Sequence, residues 1–356
     1  MKSRKSNNKV LIIGPLPPPA GGISIHIERL SYLLKNDFIF DFIDESPFIK
    51  KDFFNIRKLN FINYLYKIKN ADLLYIHSGN KMLKKGHILI GKLLGKKIII
   101  TFHGFERHKS RFSKITDKLI YCLVNRIILV NNDISKNIKL PIKKCITRNA
   151  FLPPVMKNEV SLPEYLKKII IQAKSESKTI LCSNASRLNI FNEQDLYGLD
   201  MCINLSIKLK SATVPFYLIF NVSSLQEGID IFNKAKLKIK KYKLENNFLL
   251  INEKISFVKL IEESNIVLRT TNTDGDAVSI REAIYLNKLV IASDVVNRPS
   301  GTVIFKTRNT DDLFSKVIYS LKNLNNKCNE QYYSNQQLMN ESRVFYKKLI
   351  EKELLN

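Results

Sequence analysis

The chain has no tryptophan and only 5 cysteines, 12 glycines and 11 prolines in 356 residues. The cysteines (Cys122, Cys145, Cys182, Cys202, Cys328) form no C-x-x-C pair, which excludes a zinc ribbon or a dithiol redox motif. They read as reduced thiols of a cytosolic protein, most of them core filler. No apolar run approaches the ~20 residues of a membrane-spanning helix. The best candidate, LIYCLVNRIILV, is broken by Asn125 and Arg126. The opening MKSRKSNN is charged, but the apolar run after it is too short for a signal peptide and ends at proline. H-E-x-x-H, P-loop and G-x-S-x-G motifs are all missing.

Acidic residues are also scarce. The formal net charge is +26, and it is uneven. Residues 1–150 carry 29 Lys+Arg against 10 Asp+Glu, about +19, and residues 151–356 carry 29 against 22, about +7. A basic first half suits an acidic partner: nucleic acid, an anionic membrane surface or a phosphorylated substrate. The plain alternative is a solvated basic surface.

The length suits two domains. Apolar runs at 9–15, 38–44, 71–78, 96–103 and 126–132 alternate with amphipathic stretches, including a helix expected over Ile23–Leu34. The pattern restarts with strands at 179–186, 215–222, 247–252, 265–271 and 288–295. Near-continuous apolar strands between helices predict parallel sheets covered on both faces. The expected architecture is two Rossmann-like doubly wound α/β domains facing across a cleft, spanning 1–165 and 166–335. Residues 151–178, with Pro153, Pro154 and Pro163, read as the linker. A last helix, 336–356, is expected to pack back on the first domain.

Ligands of such sheets bind beyond the carboxyl ends of the strands, so those positions hold the candidates. Gly21 and Gly22 follow the first strand where the loop enters a helix, which lets backbone N–H groups approach a phosphate. A stiff turn without ligand is the other reading. Two strands end in histidine, His77 and His103; His103 precedes a glycine and is the better placed, with Glu106, Arg107 and His108 close behind. Arg187 follows the first strand of the second half, where a guanidinium can grip a diphosphate, or sit idle at the surface. The richest segment is RTTNTDGDAVSIREAIYLNKLVIASDVVNRP, 269–299. Ser279 is the expected N-cap of a helix, with Glu282 completing a capping box. Asp274 and Glu282 bracket the loop. They are placed either to accept hydrogen bonds from sugar and ribose hydroxyls or merely to hold the turn and the cap. Backbone N–H groups of Gly275, Asp276, Ala277, Val278 and Ser279 are expected to face a phosphate or sugar oxygen.

These residues together resemble retaining glycosyltransferase family 4, of the GT-B fold. Glu282 matches the second acid of the family's Glu-x₇-Glu, Asp274 stands at the first, and VIASD matches closely. Asn287 and Leu289 replace the usual glycine and proline. Gly21-Gly22, His103 in TFHG and Asn149 in RNAF resemble further family positions. The resemblance implies a metal-independent retaining enzyme without cofactor, whose donor is a UDP-linked or other nucleotide sugar. It implies that Glu282 contacts the ribose, Asp274 the sugar hydroxyls, Arg187 and Gly21/Gly22 the diphosphate, and His103 the transferring sugar. The family's second basic residue, a Lys shortly after the Arg, is missing. LNIFNEQDLY stands there as an insertion before Gly198, and Arg269 is a possible substitute.

In this fold the first domain takes the acceptor. The stretches 50–70 and 81–97 interleave basic and aromatic or aliphatic residues (Lys50, Lys51, Arg57, Lys58 and Lys67 with Phe53, Phe54, Phe61 and Tyr64), as in peripheral binding to anionic lipid. The expectation is a lipid-diphosphate-linked saccharide acceptor at the cytoplasmic face of the plasma membrane, in bacterial surface polysaccharide synthesis (O-antigen, capsule or exopolysaccharide). Competing readings are a nucleotide-sugar epimerase on the same scaffold, a non-catalytic nucleic-acid or anion binder, and an inactive scaffold. No nucleic-acid motif supports the binder, so no nucleic-acid partner is expected.

Overall fold

The structure is a computed structural model that describes residues 8–18, 21–104, 111–131, 134–138, 140–225, 228–274, 277–322 and 335–355. Contacts divide the chain into two units: 1–153 with 334–356, and 154–333.

The first unit holds a seven-stranded sheet. Its strands are β1 (Lys9–Gly14), β2 (Ile39–Asp44), β3 (Phe54–Asn55), β4 (Leu73–Ile76), β5 (Lys97–Phe102), β6 (Arg126–Leu129) and β7 (Cys145–Thr147), in the order β3-β2-β1-β4-β5-β6-β7. Every pairing is parallel. The crossovers are α1 (Gly22–Leu34), α2 (Phe61–Lys69), α3 (Lys81–Leu93), α4 (Arg111–Cys122) and α5 (Ile134–Asn137). Alternate strand residues feed two cores. Leu11, Ile13, Leu74, Ile76, Ile98 and Ile100 pack to one side, and Val10, Ile12, Leu73, Tyr75 and Ile99 to the other. Both faces are apolar because both are covered, which is why the strands read as unbroken apolar runs.

The second unit repeats the plan. The strands are β8 (Thr179–Ala185), β11 (Phe216–Val222), β12 (Phe248–Ile251), β13 (Ile266–Arg269), β14 (Leu289–Ser293) and β15 (Thr302–Phe305), in the parallel order β12-β11-β8-β13-β14-β15. A separate hairpin pairs β9 (Ile190–Phe191) with β10 (Gln194–Asp195). The helices are α6 (Glu164–Ser175), α7 (Leu199–Ser211), α8 (Ile229–Lys241), α9 (Phe257–Glu263), α10 (Val278–Tyr285) and α11 (Thr310–Lys322). Two Rossmann-like parallel sheets in one chain is the expected fold class.

Part of the expected linker is helix instead. In α6, Leu166, Ile170 and Ala173 fall on one face and are buried, so the polar residues of 164–175 are only its solvent side. The final helix α12 (Asn335–Leu355) belongs to the first unit. There Tyr346, Leu349 and Ile350 join the core beside α1, and Glu353 accepts from Nε and Nη2 of Arg126 at 2.9 and 2.8 Å. Among the described residues no helix is long and apolar enough to cross a membrane.

Candidate functional site

In the first unit the candidates gather where β1, β4 and β5 end side by side. Gly14 closes β1. A Cβ there would stand 2.8 Å from Cδ1 of Ile27 and 3.2 Å from Cβ of His77, so glycine lets α1 and His77 close in on the strand end. The loop after β1 is fixed by Asp44, which the sequence reading did not single out. Its Oδ1 accepts from the N–H of Leu16 at 3.0 Å, and Lys50 Nζ bridges Oδ2 and the Leu16 carbonyl at 2.7 Å each. Burial works against that carboxylate's charge, but Lys50 and the N–H donors outweigh it and hold its pKa below the usual range. Lys50 is therefore committed inside the loop and is not a free surface cation, as the 50–70 pattern suggested.

Gly21 caps α1 with extended backbone, and its N–H donates to Ser24 Oγ at 2.8 Å. A Cβ at Gly21 would meet only Ser24 Oγ, at 3.9 Å. The unit's own packing thus does not require glycine at 21, unlike at 14. Gly22 is the first residue of α1.

One turn on, His26 joins His77 and His103 in a cluster of three rings. Ring centroids lie 5.2 Å (His26–His77), 5.0 Å (His26–His103) and 5.3 Å (His77–His103) apart. Nδ1 of His77 is 3.0 Å from Nε2 of His103, and Nδ1 of His26 is 2.7 Å from the Ala150 carbonyl. Burial disfavours the charged form of all three. It takes His26 down to about 4, and His77 and His103 well below 6.5, with the neighbouring rings and, for His103, Lys84 adding to it. One nitrogen from each ring lies within 4.8 Å of the others, the group among the described residues that is spaced to hold a cation. His26 was missed in the sequence because it sits in mid-helix rather than at a strand end. Its signal is position: four residues after the glycine pair, facing the sheet. Glu106, Arg107 and His108 lie outside the described residues.

In the second unit Arg187 follows β8 and is exposed. The residues after it form the β9–β10 hairpin, so the insertion folds on itself. It leads into Asp195, whose carboxylate accepts from the N–H groups of Tyr197 and Leu199 at 3.0 and 2.9 Å. Gly198 follows with a left-handed backbone (φ 71°) and starts α7. Its packing tolerates no side chain: a Cβ would lie 2.3 Å from the Thr270 carbonyl oxygen.

The 269–299 segment departs from expectation in three places. Asp274 is 7% exposed at its side chain and is already engaged. Arg269 donates to it through Nε and Nη2 at 2.9 Å each, Arg298 Nη1 at 2.8 Å, and Thr271 Oγ1 at 3.2 Å. Burial opposes its ionisation, yet the two arginines hold its pKa at about 2. Its carboxylate therefore anchors the loop to the end of β14, where Arg298 also binds the Ser293 carbonyl at 3.0 Å. Arg269, considered as a phosphate contact, is spent on Asp274. Ser279 is not the N-cap. Ala277 holds that position without a side-chain bond, and Ser279, being already helical, cannot cap. Glu282 is consequently the fifth residue of α10, past the first turn, and is 6% exposed. The capping box is replaced by a helix N-terminus formed by Ala277, Val278 and Ser279, with no side-chain cap from its N-cap residue and, among the described residues, no acid in its first turn. Gly275 and Asp276 lie outside the described residues.

No protein-family model matches the chain, and no curated protein matches it in sequence. Solved structures do. A glycosyltransferase from Rickettsia africae ESF-5 is 17% identical with a TM-score of 0.73, covering 99% of both chains. Anabaena Alr3699/HepE in complex with UDP is 11% identical with a TM-score of 0.69, covering 97% of this chain and 99% of that one. Sucrose-phosphate synthase from Thermosynechococcus elongatus is 11% identical with a TM-score of 0.62, covering 98% and 99%. The chain has the GT-B fold. At these identities the likeness establishes the fold, and the GT-B scaffold accounts for the two parallel sheets and for candidates placed at strand ends.

Proposed function

We propose that this protein is a glycosyltransferase that takes a sugar from a nucleoside diphosphate sugar. The observation that carries the reading is the start of α10. A helix without an N-terminal side-chain cap follows a loop anchored by Asp274, and buries Glu282 one turn in. N–H groups that the N-cap residue leaves without a side-chain partner, together with the helix dipole, suit a phosphate, and a buried carboxylate nearby suits ribose hydroxyls. The Anabaena neighbour was solved with UDP and with UDP-glucose, which supports a UDP-linked donor. Arg187 supplies diphosphate charge from the end of β8, and His103 meets a sugar oxygen. Transfer retains configuration and needs no resident metal or cofactor. Rate acceleration comes from positioning and from stabilising the leaving diphosphate. Asp274 holds the loop through Arg269 and Arg298, and its remaining acceptor capacity suits a hydroxyl of the donor sugar.

We assign the acceptor to a lipid-diphosphate-linked saccharide at an anionic cytoplasmic membrane surface, in surface-polysaccharide synthesis. The support is the region around α2. Leu59, Phe61, Ile62 and Tyr66 are 88%, 58%, 83% and 63% exposed. Exposed Arg57, Lys58 and Lys69 accompany them. Beside them a hollow of about 560 Å³ is lined by Lys51, Lys58 and Lys67 among others. Phe54 and Tyr64 are core residues, and Lys67 pairs with Asp41 at 2.6 Å, so the surface patch is smaller than the sequence pattern.

The deciding experiment is thermal shift of the full chain with a panel of uridine and guanosine diphosphate sugars, followed by turnover with a lipid-diphosphate saccharide. Stabilisation by one nucleotide class, lost in Glu282→Ala, is expected. No shift with any nucleotide would sink the reading, and steady hydrolysis or epimerisation without acceptor would favour a different enzyme on this scaffold.

A further inference from the structure

Two buried ring nitrogens of the first unit have no hydrogen-bond partner among the described residues, Nε2 of His26 and Nε2 of His77. Their surroundings fix where the protons are. A carbonyl oxygen only accepts, so the His26 nitrogen facing Ala150 carries the proton and its Nε2 is a lone pair. Between His77 Nδ1 and His103 Nε2, 3.0 Å apart, one nitrogen must donate. If His103 Nε2 donated, the proton of neutral His77 would sit on its buried Nε2 with no acceptor. If His77 Nδ1 donates, the orphan is only a lone pair. Buried N–H groups without acceptors are the rarer and costlier defect.

We propose that His77 is a positioning residue that holds His103 in its Nδ1–H tautomer, so that the imidazole at the end of β5 meets the substrate as a hydrogen-bond donor. The ligand group it fits is an acceptor oxygen, a sugar hydroxyl or a phosphate oxygen. His77 is well fixed for this task. Its backbone N–H donates to Ile13 at 2.7 Å, its ring lies 4.3 Å from that of Tyr75, and Gly14 makes room for it. The buried setting keeps all three rings neutral, which a tautomer switch requires.

What His103 faces rests on the transferase reading; its tautomer does not, and the two are tested apart. The full chain has 5 histidines, so ¹⁵N-histidine NMR with single His→Gln variants assigns every ring. His103 is expected with its proton on Nδ1 and an unprotonated Nε2. His77→Leu should release the tautomer, and His77→Asn, whose amide nitrogen can stand near the lost Nδ1, should restore it. In turnover, His77→Leu should lower kcat about ten- to a hundredfold with little change in the KM for donor, and His77→Asn should recover most of it. A proton on His103 Nε2 in the unaltered protein, or stoichiometric Zn²⁺ shifting all three rings together, overturns the proposal. Absence of any transferase turnover would sink the functional reading alone, since the wild-type spectrum still decides the tautomer.

Discussion

Arg298 places Nη1 2.8 Å from Oδ2 of Asp274, while the fork of Arg269 closes on the same carboxylate at 2.9 Å. The arginines come from opposite ends of the segment, one from β13 and one from beyond β14, so the carboxylate ties loop to sheet. Asp274→Asn would leave two guanidinium groups in a largely buried place without their counter-charge. A loss of about 3–5 kcal/mol is expected, read as a lower unfolding midpoint of the second unit. Asp274→Glu should not substitute freely, because the geometry fits the shorter acid. Since the carboxyl is depressed from 3.8 to about 2, its contribution is full above about pH 4 and fades as pH falls toward 2. An Asp274→Asn protein with an unchanged midpoint at neutral pH would contradict the anchoring role.

Two glycines separate structural from functional need. Gly198 has φ 71° and a Cβ there would strike the Thr270 carbonyl, so Gly198→Ala should cost at least about 2 kcal/mol. Gly21 is extended and has open space, so Gly21→Ala should change stability by less than about 0.5 kcal/mol. If Gly21 lies against a substrate phosphate, the alanine variant should fold normally and lose donor affinity. Calorimetry alongside donor titration checks both. Equal stability losses would remove the distinction.

The histidine cluster predicts an acid limb. His26 binds its proton in the folded state only near pH 4, against 6.5 when unfolded. Between those values the unfolded chain holds more protons, so stability is complete above about pH 6.5 and declines as pH falls toward 4. The decline from His26 alone is on the order of 3 kcal/mol. The ring's contribution is measured by comparing unfolding midpoints at pH 7 and pH 5 in the unaltered chain and in His26→Gln. The variant should lose less on acidification. An identical pH dependence would argue that the ring titrates normally.

The alternation of apolar runs was enough to read two parallel sheets, because fully covered strands cannot hide their composition. What escaped were elements whose signal is not apolar. Two-residue β3 and the β9–β10 hairpin are too short for a period, and β15 (TVIF) buries only one of its four residues. Helix α6 was lost in a proline-rich, charged stretch because only three of its residues are buried. At the candidate site, strand ends pointed to His103, Arg187 and the 269–299 loop by topology alone. Pairing was beyond reach. No spacing rule joins Arg298 to Asp274 or His26 to His77, since each pair closes only after segments 24 and 51 residues apart are brought together by the sheets; Lys50 and Asp44 are only six residues apart, but they meet in an irregular loop that has no period to read. The capping box failed for a local reason: Ser279 and Glu282 fit the pattern, but the helix begins before Ser279.

The exposed patch around α2 yields the last prediction. Leu59 and Ile62 are 88% and 83% exposed, so the first unit's core owes them nothing. Replacing both by Glu should leave the unfolding midpoint within about 0.5 kcal/mol of the original. On vesicles rich in anionic lipid, the same variant loses apolar insertion and gains repulsion. Each basic residue near such a surface is worth about 1 kcal/mol at low salt, and the gain shrinks as salt screens it. Sedimentation should therefore show salt-sensitive binding of the unaltered chain and little binding of the Leu59→Glu/Ile62→Glu chain. Soluble nucleotide-sugar binding should be the same for both, because neither Leu59 nor Ile62 is among the residues assigned to the donor. Vesicle binding that survives the double substitution would move the membrane contact elsewhere, with the Met82 and Leu93 face of α3, 83% and 86% exposed, as the next surface to alter.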